Sequence, residues 1–134
     1  MVIKAIYSLL IAAAPSLAEG AGFSNSVKRA AADQYGCQVR TRPDHMTFST
    51  FRDSWRSVAA DKLYSLRRYQ RALETGSCDC SVLQPEWSLI EGDYEILGFA
   101  DGPSASYDEW ARKFYFPVIS GLRDAVKEMC GEGR

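Results

Sequence analysis

Cys78 and Cys80 stand one residue apart, with Cys37 well upstream and Cys130 near the C-terminus, and this spacing constrains the 134-residue chain more than any other feature. An even number of cysteines in a small chain is a disulfide framework if the compartment is oxidising. Four cysteines allow three pairings. A bond between Cys78 and Cys80 would close a very small, strained ring, so each of the two is expected to take a distant partner. Two such bridges contribute about 4 kcal/mol each in the loop-entropy account, an upper figure. Together they rival the whole stability of a small domain, about 5–15 kcal/mol.

The oxidising compartment is itself read from the N-terminus. Lys4 supplies a positive start, residues 5–14 (AIYSLLIAAA) an apolar run, and Ser16-Leu17-Ala18 a small-x-small cleavage site. Residues 1–18 are therefore read as a cleaved secretory signal peptide and residues 19–134 as a single helical domain, periplasmic or secreted. The apolar run is too short for a membrane anchor, which needs about 20 residues, so no stable membrane insertion is expected after cleavage.

Apolar periodicity of three and four makes the expected fold all-α: a small disulfide-stapled helical bundle of three to five helices. A first short helix is expected over residues 25–35, stopped by Gly36. Residues 38–46 contain Pro43 and no periodicity, and read as an extended connection. A long helix follows, with Phe48, Phe51, Trp55, Val58, Ala59, Leu63, Leu66, Tyr69 and Leu73 on its apolar stripe, a capping box at Thr50–Asp53, and Gly76 at its end. One or two short helices are expected between Pro85 and Phe99, then a turn at Asp101-Gly102-Pro103-Ser104. A capping box at Ser106–Glu109 would open the last helix. Its stripe is Tyr107, Trp110, Ala111, Phe114, Val118, Leu122, Ala125, Val126 and Met129, with a kink at Pro117.

The cysteines then fix the packing. If Cys78 or Cys80 bonds Cys130, the long helix and the last helix end at one pole and run parallel, with residues 81–105 returning between them. Cys37 reaches that pole only if residues 38–46 run back along the long helix, which nine extended residues can do, at up to roughly 30 Å. The Cys78-Asp79-Cys80 turn is thus expected to tie the first segment and the last helix to one point, and which cysteine takes which partner stays open.

No motif specifies a reaction. Gly-x-Ser-x-Gly, His-Glu-x-x-His and phosphate-cradling glycine loops are absent, and His45 is the only histidine. No cofactor and no metal is expected, because zinc needs four cysteine or histidine ligands at wider spacing. Two enzymatic alternatives remain. One is a small periplasmic hydrolase acting on cell-wall glycan through carboxylates such as Glu86, Glu91, Asp93 or Glu95. The other is a thiol-disulfide protein using Cys78 and Cys80.

Charge is segregated. Arg40 to Leu73 carries eight bases and three acids, whereas Glu74 to Glu109 carries nine acids and no base, inside a chain of net charge −1. The acidic segment is expected to pack beside the basic helix, with Arg67, Arg68 and Arg71 as candidate partner-binding residues. Phe114, Tyr115 and Phe116 cannot all face inward, so at least one is expected to be exposed, and Tyr115 is taken as the candidate contact. Small exported helical proteins with two disulfides recur as accessory or immunity components of bacterial secretion and conjugation systems, and the chain resembles that class in size, signal and composition. The resemblance implies a non-enzymatic protein that binds another periplasmic or envelope protein. Nucleic acid is not an expected partner, since the chain as a whole is acidic.

Overall fold

The computed structural model describes residues 31–131. The signal peptide over residues 1–18 and most of the first expected helix lie outside the described residues. What is described of that helix is not helical. Asp33 closes a tight turn in which its carboxylate accepts the N–H of Tyr35 and of Cys37, both at 2.9 Å. A short acidic side chain that bonds nearby backbone donors competes with helix formation, which is why the helix expected there is not found. Gly36, expected as a helix stop, supplies the positive φ of 79° that this turn needs. The turn sends the chain back on itself, with a single antiparallel bridge between Ala32 and Gln38.

From Cys37 the chain runs as an extended strap, residues 38–43, to a short 3-10 turn at Asp44–Met46 whose Met46 is buried. Helix α1 spans Ser54–Thr75. It starts later than its apolar pattern suggests: Phe48 and Phe51 precede it, and Phe51 is 99% exposed. The expected capping box is replaced by a connection in which Ser57, inside the helix, accepts the Phe48 N–H at 2.7 Å. Gly76 ends α1 in the left-handed region at φ 64°, donating to the Ala72 carbonyl.

Helix α2 is one turn, Cys80–Leu83, followed by a 3-10 turn at Trp87–Ile90 that runs directly into α3, Glu91–Ile96. The reversal after α3 depends on two glycines. Gly98 has φ 80°, and a Cβ on Gly102 would sit 2.5 Å from the Gly98 carbonyl oxygen. Helix α4, Ser104–Trp110, begins before the expected capping box, with Pro103 in the cap position. A π-turn, Ala111–Tyr115, and α5, Phe116–Cys130, complete the chain.

The two bridges are Cys37–Cys80 and Cys78–Cys130, so one turn does tie the strap and the last helix to a single pole. Helices α1 and α5 are parallel. Trp55 stacks on Tyr107, Lys62 lies over Tyr115 and Phe116, and Cys78, just past α1, bonds Cys130, so the partners advance together along α1 and the continuous run of α4, π-turn and α5. The core between them holds Phe99, Leu63, Leu83, Ile90 and Val126, all fully buried.

The kink expected at Pro117 takes the form of the π-turn. In a regular helix the Pro117 ring would press on the Lys113 carbonyl and leave it without a donor. Widening the preceding turn, with the Phe116 N–H bonding Ala111 oxygen five residues back, relieves that crowding. The extra residue also shifts the apolar stripe by one. Tyr115 and Ile119 are buried, while Phe114 and Val118, on the expected stripe, are 61% and 41% exposed. Tyr115, not Phe114, therefore packs against Trp110, with ring centres 5.8 Å apart.

Candidate binding surface

The strap is held by a small polar hub. Gln84, buried at the end of α2, donates from Nε2 to Asp33 at 2.9 Å, and its backbone carbonyl accepts Arg40 Nε at 2.8 Å. Beside it, Trp87 stacks face to face on Tyr64 at 4.0 Å, and the Tyr64 hydroxyl donates to the Pro85 carbonyl at 2.8 Å. Burial pushes the Tyr64 phenol up to about 12, more than the nearby Arg68 and Arg40 guanidiniums lower it. These contacts position a groove of about 840 Å³ along one side of the strap. Val39, Arg40, Thr41 and Pro43 form one wall, with Ser81, Glu86, Trp87 and Glu91 opposite.

The carboxylates on this rim each have a partner. Arg40 meets Glu86 at 2.9 Å, and His45 Nε2 lies 3.1 Å from Glu91. Further round α1, Arg67 meets Asp93 at 2.8 Å. The basic helix and the acidic segment thus do face each other. These pairs are largely solvent-exposed, and each contributes about 0–1 kcal/mol, enough to choose neighbours but little to stability.

The four residues singled out for partner binding do not form one surface. Arg67 is spent on Asp93 and on Gln70. Arg68 donates to the Leu83 carbonyl at 2.7 Å and to the Tyr69 hydroxyl at 2.9 Å. Arg71 alone of the three is exposed. Tyr115 is 7% exposed and lies beneath Lys62, whereas its neighbours Phe114 and Phe116 are exposed. Cys78 and Cys80, the candidate exchange pair, each hold a distant sulfur.

Sequence reasoning missed Gln84 and Trp87, the residues that shape the groove. Glutamine carries no pattern signal. Trp87, between Pro85 and the first acids of the middle segment, was the available clue, an aromatic off any helical stripe. Among the described residues no group of histidine, cysteine and carboxylate side chains is arranged to hold a metal ion. Compared with protein families, with characterised proteins and with solved structures, the chain matches none.

Proposed function

We propose that the chain is an exported, non-enzymatic protein of the periplasm or cell exterior that works by binding another envelope protein, as accessory and immunity components of bacterial secretion and conjugation systems do. Two disulfides fit an oxidising compartment. The observation that carries the reading is the strap groove: it is open, lined by both apolar and polar side chains, and its acids are already matched to bases. A glycan hydrolase instead uses two carboxylates held in different environments about 5–9.5 Å apart across a cleft. Here Glu86 and Asp93 each answer an arginine and Glu91 lies 3.1 Å from His45 Nε2, an arrangement suited to recognition.

Affinity capture from the native periplasm, in a series of salt concentrations, tests the proposal. The expected result is a partner retained at low salt, weakened as salt rises, and lost when Thr41→Arg and Ser81→Arg crowd the groove. Absence of a partner at every salt concentration overturns the proposal. So does cell-wall glycan hydrolysis that Glu91→Gln abolishes.

A further inference from the structure

The two bridges differ in how their cysteines are covered. Cys37 is 1% exposed and Cys130 is 3% exposed, so each bridge has one end in the core. Their partners in the Cys78-Asp79-Cys80 turn are not alike. Cys78 is half-buried and packs against the core, whereas Cys80 is exposed and forms part of the groove wall beside Ser81 and Gln84. Only the Cys37–Cys80 bridge therefore has an exposed cysteine.

That difference decides where a disulfide is open to attack. A thiolate bonds one sulfur and displaces the other, so the rate depends on which sulfur it can reach. Attack at Cys80, with buried Cys37 as the leaving group, brings the thiolate in from solvent. Attack at Cys37 or Cys130 would require it to enter the core. The groove beside Cys80, about 840 Å³, has room for a thiol of tripeptide size.

We propose that Cys80 is a thiol-exchange site, at which a small external thiol such as glutathione forms a mixed disulfide and releases the strap from its covalent tie. The incoming sulfur bonds Cys80 Sγ, the Cys37–Cys80 bond breaks with its electron pair on Cys37 Sγ, and that sulfur takes up a proton. A second thiol then displaces Cys80, so the reductant ends as its own disulfide and the bridge as two thiols. A Cys80 thiolate passes the exchange on only by closing the small, strained Cys78-Cys80 ring or by reaching buried Cys130, so the reaction stops at the first bridge. What it changes is the groove. With the bridge open, the strap wall is left to Arg40 on Gln84 and Glu86, Arg42 on Asp61, and buried Met46. The site goes beyond protein binding and does not rest on what the groove holds.

Trapping the first exchange product tests it. The purified, oxidised protein is incubated with reduced glutathione under native conditions, quenched with excess maleimide and mapped by peptide mass. The expected first product carries glutathione on Cys80 and maleimide on Cys37, with Cys78–Cys130 intact. In that product the Val39 and Arg40 amides should lose protection from hydrogen exchange while the amides of α1 and α5 keep theirs. The variant Cys78→Ser with Cys130→Ser should still take glutathione on Cys80, and Cys37→Ser with Cys80→Ser should take none. First adducts on Cys78 or Cys130, or on all four cysteines at one rate, overturn the proposal, because the bridges would then open only through unfolding. An adduct on Cys37 with Cys80 trapped by maleimide also overturns it. So does exchange at Cys80 that rises with dilute urea in step with global unfolding. Opening by a protein dithiol but not by glutathione overturns the assignment to a small thiol.

Discussion

Phe114 and Tyr115 are adjacent in the chain and opposite in surroundings. Tyr115 lies in the core beside Trp110 and under the Lys62 ammonium, while the Phe114 ring is 61% exposed. Truncating a buried aromatic forfeits its burial and leaves a cavity, so Tyr115→Ala should cost about 3 kcal/mol in urea unfolding. Phe114→Ala should stay within about 0.5 kcal/mol. The reverse order would mean that the helix is regular through this region. Tyr64 supports a second expectation. Its phenol ionises near 10.0 when unfolded and at about 12 when folded, because burial penalises the phenolate. A raised pKa in the folded state means that the contribution is intact below pH 10 and is lost as pH climbs toward 12. Burial raises Tyr94, Tyr107 and Tyr115 in the same direction. Urea midpoints measured from neutral to alkaline pH should hold level and then fall through that window, and Tyr64→Phe should shallow the fall. A flat profile to pH 12 contradicts the buried placement of these rings.

At the scale of elements, the last helix carries one residue too many for a straight stripe, and the π-turn absorbs it. Deleting Phe114 together with Pro117→Ala should therefore be tolerated. Trp110 and Tyr115 would become neighbours at a regular spacing of four, and Tyr115, Ile119, Leu122 and Val126 would keep their inward phase. Deleting Ser120 from the same helix should be severe, because every later side chain then rotates by about 100° out of register. Circular dichroism and a cooperative thermal transition in the first variant but not the second are the expected outcome. This phase shift also explains what could be read in the sequence. The long helix, its stop at Gly76 and the turn near Gly102 were legible because repeated apolar spacing and glycine chemistry act locally. The stripe through Phe114 and Val118 was not, since a constant period cannot register an inserted residue. Pro117, with unused apolar residues at Tyr115 and Ile119, was the available sign. Phe51 misled for a related reason: it continues the stripe upstream, but the chain has left the helix before reaching it. The groove was less legible than the fold, because Gln84 and Trp87 matter through contacts made across the molecule.

For the molecule as a whole, two parallel helices must be joined by a segment that travels the length of both, and α2 and α3 make that return. Parallel helices cannot be linked by a short loop, so the Cys78-Asp79-Cys80 turn does the joining covalently, binding α5 through one sulfur and the strap through the other. The closed loops are similar, with sequence separations of 43 and 52, so chain entropy alone gives the two bridges nearly equal weight, up to about 4 kcal/mol. Their native surroundings differ. Without Cys78–Cys130, α5 is still held against α1 through Tyr115, Ile119 and Val126. Without Cys37–Cys80, the strap keeps polar contacts, Arg40 with Gln84 and Glu86 and Arg42 with Asp61 and the Ser57 carbonyl, beside the anchorage of Met46. The paired substitution Cys78→Ser with Cys130→Ser should therefore lower stability while leaving the groove intact. Cys37→Ser with Cys80→Ser should lower stability by a similar amount and also loosen the strap. Hydrogen exchange separates the two at the Val39 amide, which donates to the Ala31 carbonyl, and at the Arg40 amide, which donates to Gln84. Both amides should stay protected in the first variant and exchange rapidly in the second. Equal protection in both would show that the strap is held by its side chains alone and that the Cys37–Cys80 bridge serves only to limit the unfolded chain.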